Sequence, residues 1–385
     1  INIALIAGVL IHYKRFKKNK FFLVPHFKWL ILLIIVALMS GLWAVDPVSH
    51  QLYIVRVIKI WFFVFLFYKV VNTQKFFDWA LSCFCAGAFY ASFRAWELGR
   101  SQGLRLESIR LADGTDANGV AVAVLVTIPL LVFYIFWGKN FFFRFSALVA
   151  LAFTMNALVL FNSRGAFLGL VLSIVYLLYR VFKEAQDKRI FYRVLLAAIL
   201  SCGVMLYMGD DSFWDRMATI SSGDETQSET HVSRVEYWKK SFDMLADYPL
   251  GAGATGYMAL SPRYLPEAWL TKGRRAVHST WFEVMTDFGF IGLLFYLLYF
   301  FACFRELKKL RQKLALSKEH DSFRYYQSMA LEASLVAFMV PASFIGTFFV
   351  EYSYWLPMFI AVFYRINYIE DKYVKSDKIK TTKAV

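Results

Sequence analysis

The feature that leaves this chain the fewest choices is an apolar run of membrane-spanning length, repeated almost from end to end. Such runs fall near 29–45, 53–71, 76–95, 117–137, 143–162, 165–182, 191–209, 279–302, 326–346 and 350–367, after a shorter opening run at 1–12. A helix needs about 20 apolar residues to cross a bilayer. The hydrocarbon interior has no water to bond the backbone, so each run must satisfy its own N–H and C=O groups as a helix. The strict alternation of a membrane barrel is absent. The sequence therefore predicts an all-α, polytopic transmembrane helix bundle. The opening run is too short to span, so it predicts the end of a truncated first helix: eleven spans here and twelve in the full protein.

The formal charge is +15. In a soluble protein such an excess would suggest nucleic acid. Here the lysines and arginines gather in short loops between apolar runs, which is how a membrane protein sets its orientation. The bilayer, and no nucleic acid, is the expected partner. With 13–28 (Lys14, Arg15, Lys17, Lys18, Lys20) placed inside the cell, 72–76, 138–144, 183–190, 304–325 and the tail after 366 are also inside. Segments 46–52, 96–116, 163–164, 210–278 and 347–351 then lie outside, and the alternation closes without a skipped helix. The chain divides into N-terminal spans (1–209), one large outside loop (210–278), C-terminal spans (279–367) and a basic tail (368–385). Cys83, Cys85, Cys202 and Cys303 sit in or at the end of apolar runs and read as packing residues. No clustered His, Cys or Asp suggests a metal site, and no Gly-rich lysine loop suggests a nucleotide.

The outside loop is where chemistry in water can occur. Ser221 to Thr230 is polar and reads as flexible. Ser233-Arg-Val-Glu236 reads as a capping box. Val235, Trp238, Phe242 and Leu245 follow at helical spacing, and Pro249 and Gly251 close that helix. The result is an amphipathic helix against the membrane domain or the lipid interface, with Arg234 in its first turn, where free N–H groups favour an anion. Gly251-Ala-Gly253-Ala-Thr-Gly256 matches the dinucleotide fingerprint, but a helix precedes it where a strand is required, so it reads as a tight turn.

Asn162-Ser-Arg164 separates two apolar runs with almost no loop. Its arginine is either a headgroup anchor or an anion clamp facing the outer side. His278 opens the next span beside Arg274 and Arg275, whose charges would hold its pKa down and leave a neutral imidazole able to act as a base. Glu283 and Asp287, one turn apart, are either an acid–base pair or partners of a loop arginine. Arg100, Arg105 and Arg110 in 96–116 either add to an outer anion site or form a solvated face. Arg56 and Lys59 inside 53–71 are the charges a transporter would use, but no internal repeat accompanies them.

Together these pieces resemble the O-antigen ligase and polymerase superfamily. The resemblance rests on Asn162-Ser-Arg164-Gly-Ala-Phe-Leu-Gly-Leu, on Ser233-Arg234-Val-Glu-Tyr-Trp238 with Tyr248-Pro-Leu-Gly-Ala-Gly253, and on His278-Ser-Thr-Trp-Phe-Glu283 with Gly289-Phe-Ile-Gly292. Asp116-Ala-Asn118-Gly is a weaker fourth piece, and Trp214-Asp-Arg216-Met resembles ligase-type loops. Many relatives carry His-Asn where this chain has His278-Ser279. The resemblance implies a glycosyltransferase of the bacterial inner membrane, working on its periplasmic face with no metal or cofactor. The implied donor is a glycan on undecaprenyl pyrophosphate, and the acceptor a glycolipid or glycan hydroxyl, lipid A-core favoured. Arg164 and Arg234 match the family's anion-binding arginines and His278 its loop histidine. Arg105, Arg110, Arg274, Arg275 and Glu283 are further candidates for substrate contact.

Overall fold

A computed structural model describes residues 2–11, 23–100, 105–110, 116–185, 187–222, 234–271, 273–316 and 322–370. Among these residues every regular element is a helix. After α1 (Asn2–Ile11) come α2 (Pro25–Met39), α3 (Pro47–Val70), α4 (Gln74–Leu98), α5 (Ala117–Leu125), α6 (Ile128–Trp137), α7 (Phe141–Phe161), α8 (Arg164–Glu184) and α9 (Lys188–Met208). The 210–278 loop holds α10 (Asp211–Ser222), α11 (Arg234–Asp247) and α12 (Gly256–Tyr264). The chain closes with α13 (Thr280–Ala315), α14 (Ser322–Ala342) and α15 (Tyr352–Tyr364). Among the described residues, eight segments are long and apolar enough to cross a membrane: α2 with the turn after it, α3, α4, α5 with α6, α7, α8, α9 and α13. The protein is a multi-pass membrane bundle.

The remaining expected spans differ for physical reasons. α1 is short. α14 and α15 carry internal prolines, Pro341 and Pro357, and are buried almost throughout. Facing protein and little lipid, α14 can hold Gln327 and Glu332. The central α5–α6 span breaks at Thr127, whose hydroxyl donates to Val124 O (2.7 Å). The expected basic loop at 304–325 is a correction. α13 continues through Arg305, Lys308, Lys309, Arg311 and Lys313 to Ala315. No breaker interrupts that stretch, and Glu306 and Arg311 are buried with partners: Glu306 accepts from His26 (2.8 Å), and Arg311 pairs with Glu184 (3.0 Å).

Contacts between loops sort into two sets, one at each end of the bundle. At one end lie His26–Glu306, Arg180–Glu332 (3.2 Å) and Arg365 donating to Tyr68 O (2.6 Å). At the other, Val45 N–H donates to Ala252 O (2.9 Å), Leu106 N–H to Leu160 O (3.0 Å) and Thr280 Oγ1 to Ile345 O (2.7 Å). The second end carries the 210–278 loop.

Two glycine devices shape that end. On α8, a Cβ at Gly169 would lie 2.8 Å from Pro341, and one at Gly165 3.5 Å from Phe344, so these small residues let α8 close on α14. In α13, Gly289 (φ 69°) breaks the helix, and the Gly-rich turn after α11 fills the break. Ala252 and Gly253 N–H donate to Thr286 O and Asp287 O, both at 2.9 Å. The expected tight turn is present, although a helix, α12, does follow it. The N–H groups of Thr255 (2.8 Å) and Gly256 (2.7 Å) at the start of α12 are already taken by the Asp287 carboxylate, which leaves no room there for a pyrophosphate.

Candidate active site

The site begins at the α7–α8 turn. Asn162 adopts the left-handed conformation (φ 49°), which asparagine tolerates better than most residues. With only Ser163 after it, Arg164 becomes the first residue of α8. Ser163 makes no side-chain cap there, because its hydroxyl donates to Asn118 Oδ1 (2.9 Å). Arg164 Nη1 donates to Thr219 Oγ1 (3.0 Å) on α10, and Thr219 Oγ1 donates to Arg216 O (2.8 Å).

Asn118 is the hub of this end. Its Oδ1 also accepts from Arg105 Nη2 (2.8 Å), and its Nδ2 donates to Asp116 Oδ2 (3.2 Å). Asp116 caps α5 through Gly119 N–H (3.0 Å). Arg105 further donates to Phe161 O (3.3 Å). Arg234 is the first residue of α11 and lies over the Phe344 ring at 6.0 Å, the same ring that Gly165 approaches.

Four guanidiniums from four separate segments thus act on one another. Burial lowers the Arg216 pKa to about 10, followed by repulsion from Arg105, Arg164 and Arg234. Arg105 is lowered by burial and by Arg164, with Asp116 and Glu107 opposing. All four remain cationic at neutral pH. Gathering like charges costs energy, and a polyanion between them offsets that cost.

His278 lies beside this cluster, in a left-handed turn (φ 52°) just before α13. The Tyr237 ring of α11 meets its imidazole edge at 6.3 Å. The surrounding protein, and then the Arg234 guanidinium, depress its pKa to about 4; Asp116 opposes and Arg275 adds to the shift. His278 as a residue is nevertheless exposed. The direction is therefore what the chemistry uses: the imidazole is neutral at neutral pH and reachable. It opens onto a cavity of about 320 Å³ that Asp116 and Glu283 also line.

Residues 149–297 match the O-antigen ligase family. The matched segment contains Arg164, Arg216, Arg234 and His278. No curated protein matches the chain.

Within and around this matched segment, the candidates expected from sequence fall into two groups. Arg164, Arg234, His278 and Arg105 come together. Arg274 points away, paired with Asp46 at 3.3 Å, and Arg110 is exposed. Arg275 ties down its own loop through Trp269 O (2.8 Å) while adding its charge near His278. Arg100 pairs with Asp210 (2.6 Å). Glu283 and Asp287 pair with no arginine among the described residues. Glu283 accepts from Phe348 N–H (3.2 Å), and Asp287 holds α12 as above. The capping serine, Ser233, lies outside the described residues, as does most of 221–230. Glu236 pairs with Lys239 (2.7 Å).

Sequence reasoning passed over Arg216 and Asn118 as site residues. The signal for Arg216 was present: Phe213, Met217 and Ile220 form the inward stripe of α10, and Arg216 shares that face. Asn118 appeared only within the Asp116-Ala-Asn118-Gly resemblance, and its own role comes from partners 13 and 45 residues away.

Proposed function

We propose that this protein transfers a glycan from undecaprenyl pyrophosphate to an acceptor hydroxyl at the periplasmic face of the inner membrane, with lipid A-core as the favoured acceptor. One observation carries the reading: four arginines gathered beside a neutral, solvent-reachable histidine at one end of the bundle. Arg105, Arg164, Arg216 and Arg234 bind the pyrophosphate. His278 accepts the proton of the acceptor hydroxyl as its oxygen attacks the anomeric carbon. The bond from that carbon to the phosphate oxygen breaks, its electron pair leaves with the lipid pyrophosphate, and the arginines stabilise the charge that grows there. One displacement inverts the anomeric configuration. The guanidiniums supply the positive charge, so the reaction needs neither a metal nor a cofactor.

Removing a single preorganised charge of this kind costs about 10²–10³ in kcat. A general base is worth about 10²–10⁴. Arg164→Ala, Arg234→Ala and His278→Ala should each fall within those ranges at normal expression. Three variants with full transfer would overturn the mechanism.

The lipid-linked glycan pool of cells lacking the protein tests the activity itself. Long chains accumulating on the carrier mark a ligase. Single repeat units mark a polymerase, which performs the same chemistry on another acceptor, and a protein hydroxyl is a third acceptor. The broken α13 favours a different class, a transporter, since transporters bind cargo at such breaks. Here the carbonyls freed at Gly289 are filled by the Gly-rich turn. Units accumulating only on the cytoplasmic face would nevertheless favour transport.

A further inference from the structure

The cavity that His278 faces is distinct from the arginine cluster. Its walls come from α3 (Tyr53), the start of α5 (Asp116), α13 (Glu283), and the α14–α15 connection and α15 (Phe349, Tyr352), and none of the four arginines lines it. His278 therefore stands between the arginine cluster and a cavity lined by Asp116, Glu283, Arg56 and aromatic rings.

Size and chemistry narrow what this cavity can hold. Its 320 Å³ is about twice the volume of a cavity that holds a benzene ring, so a sugar ring can enter it. Tyr53 and Phe349 meet edge to face at 5.0 Å and form an apolar wall. Glu283 spends one lone pair on Phe348 N–H and keeps others for hydroxyl donors. Its carboxylate fits only because residue 346 is glycine, where a Cβ would come within 2.9 Å of Oε1. Hydroxyl-bonding groups opposite an aromatic wall suit a sugar, which is polar at its rim and apolar on its ring faces.

Resting on the glycosyl-transfer reading, we propose that this cavity seats one sugar ring, the terminal residue of the acceptor, and so directs transfer to a chain end. In a direct displacement the nucleophile arrives opposite the leaving group. The pyrophosphate belongs with the arginines, so the acceptor belongs on the far side of His278. A terminal sugar can enter such a cavity end-on, with the rest of the acceptor in its open mouth.

The test uses the full chain in nanodiscs, an undecaprenyl-pyrophosphate glycan as donor, and two acceptor probes: lipopolysaccharide lacking its O-chain, and a lipid-linked single repeat unit. Val350→Trp narrows the cavity from its α14–α15 wall, and Tyr53→Ala removes the aromatic wall on α3. With whichever probe is active, Val350→Trp should raise the acceptor KM at least tenfold and Tyr53→Ala severalfold. The donor KM should stay within twofold, which also reports that the variants are folded. Linkage analysis of the wild-type product should place the new bond on the terminal acceptor sugar. A rise in donor KM with the acceptor KM unmoved would assign the cavity to the donor's first sugar and overturn the proposal, as would an internal linkage or two unchanged KM values. Wild-type protein that consumes no donor with either probe would overturn the glycosyl-transfer reading and this inference with it.

Discussion

Replacing Asn118 with alanine removes the one side chain that ties Arg105, the Ser163–Arg164 turn and Asp116 together. Its Oδ1 accepts one charge-assisted bond (Arg105, 2.8 Å) and one neutral bond (Ser163, 2.9 Å). Bonds to charged groups are worth about 1.5–3 kcal/mol and neutral ones about 1 kcal/mol, so the upper bound is about 4 kcal/mol. Asn118 is half-buried, and water replaces part of what is lost. A net loss of about 1.5–2.5 kcal/mol remains, roughly a 13- to 70-fold fall in kcat/KM at 1.36 kcal/mol per decade. The fall should lie mainly in the donor KM, since Asn118 positions the arginines and does not touch the reacting carbon. Initial rates in nanodiscs over a donor series measure it, with a parallel melting curve. Asn118→Asp keeps both accepted bonds but sets a second carboxylate against Asp116, so it should recover only part of the loss. A well-folded Asn118→Ala within twofold of wild type would refute the argument, and so would a fall confined to kcat.

Three further outcomes follow from the geometry. His278 must be neutral to accept a proton, so the rate falls as pH drops through its pKa. With that pKa near 4, transfer should be flat between about pH 5 and 8. Arg234→Ala removes one cause of the depression, so the acid limb of its residual activity should move up toward the ordinary histidine range. A limb that stays in place would contradict the assigned coupling. At Gly251 (φ 84°) a Cβ would lie 2.4 Å from Asp287 O, where backbone on both sides prevents relief. Gly251→Ala should cost about 2–5 kcal/mol of stability from the left-handed penalty and the overpacking together, and an unchanged unfolding midpoint would count against this account. Arg274→Ala breaks only an exposed pair, so transfer should stay within twofold, and a large loss would place Arg274 in the site after all.

Much of the architecture was legible because its causes are local. An apolar run in lipid has to be a helix whatever surrounds it, and loop charge sets which end faces which side. Arg164, Arg234 and His278 stood out for the same reason: each is a polar group at the edge of an apolar run, where its position needs explaining before any contact is known. The extension of α13 to Ala315 was misread because basic residues signal a cytoplasmic location but do not end a helix. The partners of Glu283 and Asp287 were not legible at all. These carboxylates are held by backbone N–H groups 65, 32 and 31 residues away, which carry no side-chain signal.

The sequence by itself therefore determined the helices and marked three of the polar groups of the candidate site. The tertiary structure decided that Arg105, Arg164, Arg216 and Arg234 share one place, that Asn118 spaces them, and that His278 faces a cavity on its other side. Helix formation and orientation are settled by each segment's own exchange with lipid and water. Convergence depends on packing between segments far apart in the chain, as when Arg100 reaches Asp210 across 110 residues, and no local pattern encodes it.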